Sequence, residues 1–503
     1  MSYFLSAKKL DLSSGDELVV IINSADAEEF GINPGDSIEL NWNSHDSHVI
    51  VAADITETIV EEGAIGFYED IWTKYNLKDH EVIKIDFFAA SEGTDVIKKK
   101  LLGQRLTYED FYLVMKDIAN GRLGTILTTY FASAGYNPGF DHEEIEYMTK
   151  ALAETGEHLA FDGIVADKHS IGGVAGKGIT PIVVSVVASV EGIKVPNTST
   201  RAITSASATT DMLEVLMPMT FDKAALEAMI FKSNAFMAWG GGLDLAPADD
   251  EIIKVQKPLG MESIDKFVSS IVAKKIAQGV NHVVFDVPVG PGAKINEEEF
   301  PRVKETFERI CKKFGIHVYI HKREVSGIDG KAVGPALECI EFLKILENRP
   351  EKSLQLEKDA LTLAGILLEI TEKAKVGEGF AMAKGIVDSG QALKKLKEII
   401  RNQGGNENVT SQSIEVGKIV YEYKSFRSGQ IKGMKNKNIF EVGRALGNPR
   451  IKEAGLYFEK VTGDYVAQGE ILLKVYATSE GRLDLAKRLL EKDANGIFEF
   501  EVV

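Results

Sequence analysis

Residues 167–178 read DKHSIGGVAGKG, which sets glycines, lysines, a histidine and a serine close together between apolar stretches. Glycine lets a backbone turn tightly enough to aim its amides at an anion, and ammonium groups supply the charge. The ATP-binding loop G-x-x-x-x-G-K-[ST] is not met. Its first glycine would fall on Ile171, and its magnesium-holding hydroxyl on Gly178. The dinucleotide pattern G-x-G-x-x-G fails as well, because Gly172 and Gly173 are adjacent. The stretch is therefore a structural turn or a loop for some other anion.

Three further segments carry the same kinds of groups. Residues 197–211, NTSTRAITSASATTD, combine Arg201 with eight Ser or Thr residues ahead of a helix expected near Asp211. Hydroxyls and backbone N–H groups at a helix start suit a phosphate. Residues 257–275, KPLGMESIDKFVSSIVAKK, place Lys266, Ser270 and Lys274 at i, i+4 spacing on one helix face. Such a face is either solvated or a site. Glu262 precedes this helix, where a partly buried carboxyl could act as an acid. In VGPGAK, residues 289–294, Lys294 closes a glycine-rich turn.

These segments need a scaffold, and the pattern of the chain suggests one. Residues 1–85 alternate short apolar strands (ELVVIIN, GINPGDSIELNW, HVIVAAD) with turns such as Pro34-Gly35-Asp36, and contain one helix-like stretch, EGAIGFYEDIWTKYN. Residues 94–160 show apolar spacing of three and four, with Thr107 and Asp141 as N-caps, and read as helices. From 163 strands and helices alternate. GIVADKH is a strand entering the first glycine loop, ITPIVVSVVASVEG is a helix or a buried strand, and NHVVFDVPVG is a strand entering the second glycine turn. Alternation predicts an α/β layer with ligands at the carboxyl ends of its strands. Residues 389–406 form an amphipathic helix stopped by glycine, and 416–503 return to short strands.

The expected architecture is a mixed α/β and α+β multidomain chain. Its parts are a β-rich domain over 1–85, a helical domain over 94–160 joined by part of 180–235, an α/β phosphate-binding core over 161–345 and a β-rich α+β domain over 346–503. No apolar run reaches a membrane span, and the start lacks a secretory apolar core. Cys311 and Cys339 have no metal-ligand spacing, which predicts reduced thiols in a cytoplasmic protein. A net charge of −17 argues against nucleic-acid binding and requires any anion site to be locally basic.

Five motifs in order narrow the function. Residues 168–173 (KHSIGG), 209–214 (TTDMLE), 245–249 (LAPAD), 270–275 (SIVAKK) and 333–338 (VGPALE) resemble the thymidine and pyrimidine-nucleoside phosphorylase superfamily over about residues 95–503. Within it the chain is similar to the AMP phosphorylases, nucleoside-monophosphate phosphorylases. The extra N-terminal domain, RAITS at 201–205 and Lys294 carry that likeness. The chain departs from the AMP enzymes in four places. GGVAGKG stands for GGVPGN, SASATTD at 205–211 for SPAGTAD, and Glu262 for aspartate, and about one extra residue lies between 180 and 200.

The resemblance implies a pentosyltransferase in which inorganic phosphate attacks AMP and yields adenine and ribose 1,5-bisphosphate, with CMP and UMP as further candidate substrates. It implies that Lys168, Ser170, Ser199 and Thr209 hold inorganic phosphate. Gly173, Thr200, Arg201, Ala202, Ile203, Thr204, Ser205, Thr209, Ser270 and Lys294 would contact the nucleotide, Lys294 through the 5′-phosphate. Glu262 would protonate the leaving base, and Lys274 would help orient it. No metal and no cofactor is implied beyond phosphate as co-substrate. The partners implied are small molecules and further copies of the chain, a homodimer or larger, with no nucleic acid or membrane. The rival readings are phosphorolysis of unphosphorylated nucleosides such as thymidine, and a non-catalytic nucleotide-binding protein.

Overall fold

The computed structural model describes residues 3–501 apart from 16–17, 43–44, 88–90, 177, 203–204, 257, 259–262 and 492–495; at 45–48 and 87 it describes the backbone alone. The chain forms two compact units. One is Met1–Gly156 with Ala246–Ser270, the other Glu157–Leu245 with Ile271–Val503.

The first unit begins with a closed barrel. Its strands are β1 (Tyr3–Lys9), β2 (Val19–Asn23), β3 (Ser37–Trp42), β4 (His45–Thr56), β5 (Ala64–Phe67) and β6 (Val82–Phe87), in the order β1-β5-β2-β4-β3-β6. Strand periodicity makes the core. In β3, Ile38, Leu40 and Trp42 point inward while Ser37, Glu39 and Asn41 alternate with them. The helix-like stretch EGAIGFYEDIWTKYN divides differently from expectation. AIGF is a fully buried strand between β1 and β2, and only Glu69–Lys74 is helical. Pairing on both edges overrides local spacing there.

Four helices follow, Glu92–Leu101, Tyr108–Ala119, Gly124–Ala134 and His142–Glu154. Thr107 and Asp141 cap the second and fourth through reciprocal bonds with Asp110 and Glu144, as their sequence positions predict. The segment that joins this helical block is 246–270, not part of 180–235. It contains helix Pro247–Gln256 and the first half of helix Ile264–Ala277.

The second unit is built on a parallel sheet. Strands β7 (Ile164–Ser170), β8 (Ile193–Ser199), β9 (Ala235–Trp239), β10 (His282–Val289) and β11 (His317–Glu324) lie in the order β11-β10-β7-β8-β9. The apolar run after the first loop is helix Ile179–Val187, buried at every residue. It shares one core with helices Pro335–Leu346, Leu354–Ile370 and Gln391–Asn402. Residues 354–402, expected in the C-terminal domain, thus belong to the core of the α/β layer. A parallel sheet is covered by helices on both faces, and here part of that cover comes from beyond residue 345.

The last part is β-rich. Ala332–Val333, Gly455–Phe458, Ile471–Ala477 and Ile419–Lys424 form one sheet, and Tyr465–Val466, Gly429–Met434 and Phe498–Phe500 another. Their core also takes in Ala175 and Ala206, one from each candidate loop. Among the described residues no helix is long and apolar enough to cross a membrane.

Candidate active site

The carboxyl ends of the parallel strands gather the chemistry in the second unit. β7 delivers Lys168, His169 and Ser170, β8 ends at Ser199, and β10 leads into the turn of Lys294. Four ammonium groups act on the partly buried His169. Burial lowers the pKa of its imidazole well below the usual value, and Lys275, Lys168, Lys274 and Lys294 lower it further. His169 is therefore neutral at neutral pH. In a chain of net charge −17, Lys168, Lys274 and Lys294 bring positive charge to bear on this imidazole, while the charge of Lys275 is balanced by Asp167.

The lysines are held in different ways. Lys168 is buried, with Nζ 3.3 Å from Thr180 Oγ1. Lys275 is buried against Asp167, whose other oxygen accepts from the Lys168 N–H at 2.8 Å and from Asn197 Nδ2 at 2.7 Å. Lys274, one position earlier, is only partly buried. Helical rotation of about 100° between neighbours gives the two lysines different surroundings. Lys294 is exposed.

Gly173 and Lys294 meet. Gly173 has φ +91°, and a Cβ there would stand 2.6 Å from the Lys294 backbone nitrogen. Only glycine permits both the conformation and the approach. At Gly176, φ +87°, a Cβ would lie 2.1 Å from the Asp329 carbonyl oxygen. The loop is further pinned by Ala175, whose N–H donates to Asn436 Oδ1 at 3.0 Å. Ser170 Oγ donates to Asp286 Oδ2 at 3.0 Å, across paired positions of β7 and β10.

The Ser/Thr loop differs from expectation. Ser199 Oγ lies 2.7 Å from Thr210 Oγ1. The helix carrying Thr209 is only Thr209–Leu213. Asp211 takes the amides of Ala202 and Ala208, at 2.7 and 3.0 Å, so the protein's own carboxylate occupies donors that the sequence suggested for phosphate. The guanidinium of Arg201 lies 4.0 Å above the Trp239 ring and is bonded to Glu214 at 2.8 Å. It lines a depression of about 530 Å³ with residues 214–220, Gly404 and Gly405. Thr200 is exposed, and Ser205 donates to the Ser207 carbonyl at 2.9 Å. Ile203, Thr204 and Glu262 lie outside the described residues.

In the first unit Ser270 is buried and donates to Asp249, the aspartate of LAPAD. Lys266 is also buried and pairs with Asp249 at 2.9 Å. The helix face of Lys266 and Ser270 is therefore not a solvated one. Sequence spacing missed Asp167, Lys275 and Asp286, since their roles depend on strands far apart in the chain. The signal available was a charged residue inside an apolar strand, as in IVADKH and VVFDVPV.

Residues 94–156 match the glycosyl transferase family, helical bundle domain. The chain is 36% identical over 482 residues to AMP phosphorylase 1 of Archaeoglobus fulgidus, covering 95% of this chain and 94% of that one. It is 35% identical over 486 residues to the AMP phosphorylase of Methanococcoides burtonii, covering 96% and 94%. Among solved structures it is similar to anthranilate phosphoribosyltransferase from Saccharomyces cerevisiae in complex with PRPP and Mg. There the TM-score is 0.50 at 16% identity, over 62% of this chain and 98% of that one, a likeness of fold alone.

Proposed function

The chain belongs to the AMP phosphorylase family, and from that premise we propose how its residues carry out the phosphorolysis of AMP. Inorganic phosphate attacks C1′, the bond from C1′ to the base nitrogen breaks, and adenine leaves with a proton. The sugar product is ribose 1,5-bisphosphate. The observation that carries the reading is that Lys168, Ser170 and Ser199 stand at the carboxyl ends of β7 and β8, where the Gly173 loop meets the backbone of Lys294. Two phosphate groups, one on each substrate, must be held near each other, and that arrangement calls for concentrated positive charge.

Lys168, Ser170, Ser199 and Thr209 hold the nucleophile, and their fixed geometry replaces a collision in solution. Gly173, residues 200–205 and Lys294 serve the nucleotide, with Lys294 on its 5′-phosphate. Arg201 contributes through its backbone, because its guanidinium is engaged by Glu214 and Trp239. Glu262 protonates the base, and Ser270 and Lys274 orient it. Positive charge developing on the sugar is met by the incoming phosphate dianion. Phosphate is the co-substrate and the step asks for no cofactor. The protein works as a cytoplasmic homo-oligomer.

The test is phosphate-dependent base release from AMP, CMP, UMP, adenosine and thymidine, measured side by side. Release from AMP with little from adenosine or thymidine is expected. Release from free nucleosides alone would overturn the nucleotide reading, and tight binding without release would favour a non-catalytic role.

A further inference from the structure

A buried ion network lies beneath Ser170. Arg323 grips both oxygens of Asp286, Nε on Oδ1 at 2.9 Å and Nη2 on Oδ2 at 3.0 Å. The same guanidinium holds Asp329, through Nη1 at 2.6 Å and Nη2 at 3.1 Å. Burial pushes the Asp286 carboxyl up, but the Arg323 charge outweighs it and keeps the carboxyl below its ordinary value. Asp286 is thus ionised at neutral pH, and a carboxylate can only accept. The proton in its 3.0 Å bond must come from Ser170. A serine has one such proton. With that proton committed, Ser170 offers only lone pairs to whatever occupies the loop.

We propose that Ser170 is a hydrogen-bond acceptor for the nucleophile, fixed in that role by Asp286 and Arg323, and that it selects a protonated oxyanion such as hydrogen phosphate over sulfate. The inference rests on reading Ser170 as a contact to inorganic phosphate. Hydrogen phosphate carries a P–OH to donate, whereas sulfate at neutral pH has only acceptors. Lysines and amides attract either dianion, so charge alone does not separate them. An oxygen lone pair facing a bare sulfate oxygen is a repulsive element, which is how specificity against a close competitor is built. Asp286 and Arg323 are positioning residues. The network is also tied to the loop itself, because the Asp329 N–H donates to the Ala175 carbonyl at 2.8 Å.

The experiment is steady-state phosphorolysis with phosphate varied and sulfate as competitive inhibitor. Ser170→Ala should raise KM for phosphate about tenfold or more and leave the sulfate inhibition constant unchanged or lower. Asp286→Asn can donate its amide to Ser170, which frees the hydroxyl proton to turn outward. Sulfate should then inhibit better relative to phosphate. Ser170→Thr keeps the hydroxyl and should keep the discrimination. Equal weakening of phosphate and sulfate in Ser170→Ala would show that Ser170 donates, and would overturn the proposal. An unchanged phosphate KM would instead show that Ser170 does not touch phosphate, a failure of the site assignment beneath it. Should Asp286→Asn not fold, Ser170→Ala decides alone.

Discussion

Gly173 and Lys294, 121 positions apart in sequence, are in backbone contact: a Cβ on Gly173 would stand 2.6 Å from the Lys294 nitrogen. The two glycine-rich turns at the ends of β7 and β10 are therefore packed directly against each other. Gly173→Ala combines a strained φ of +91° with that clash. The expected cost is about 1–3 kcal/mol, taken partly as displacement of the second turn. KM for AMP should rise by about tenfold. Normal kinetics in this variant, at normal thermal stability, would show that the turns do not depend on each other.

Lys294→Ala should separate nucleotide from nucleoside. Removing a charge-assisted bond to the 5′-phosphate is worth about 1.5–3 kcal/mol, so KM for AMP should rise roughly 10- to 100-fold. Adenosine, which has no 5′-phosphate, should change little. Equal loss for both would take Lys294 off the phosphate.

Glu262→Gln should lower kcat about 10²- to 10⁴-fold, the usual worth of a general acid. Phosphate binding, followed by equilibrium titration, should persist. Full turnover in this variant would place the proton donor elsewhere.

Lys275→Met removes the partner of Asp167, with both residues buried. An uncompensated buried carboxylate should destabilise the protein by about 3–5 kcal/mol, read by denaturant unfolding. Lys275→Met with Asp167→Asn should recover much of that loss. If the single change is harmless, the pair does not brace the strand that presents Lys168.

Glu341 gives a pH signature. Its buried carboxyl is pushed up to about 8, chiefly by burial, although the Lys331 and Ala332 N–H groups donate to it. The folded state therefore holds a proton that the unfolded chain, at an ordinary 4.5, has lost. Stability should fall as pH rises from about 4.5 to about 8, by up to about 1.4 kcal/mol per pH unit, and level off above that. Glu341→Gln should flatten this slope in thermal unfolding. An unchanged slope would show that Glu341 is already ionised in the fold.

The sequence alone determined the alternation of strand and helix, the caps at Thr107 and Asp141, the run of a strand through KHS into the first glycine loop and the likeness to nucleotide phosphorylases. Each is written in local spacing, in glycine, or in ordered motifs, and needs no distant partner. Tertiary structure decided the rest. AIGF became a strand because both neighbours in the barrel pair with it. The run at 179–187 became a helix buried at every residue between the parallel sheet and helices 335–346, 354–370 and 391–402. Arg201 turned away to Glu214 and Trp239, and Asp211 took amides that looked available. Asp167, Asp286 and Arg323 gained their roles only when β7, β10 and β11 lay side by side. A charge in an apolar strand announces that a partner must exist, because an unpaired buried charge is too costly. Which residue supplies that partner depends on the sheet order.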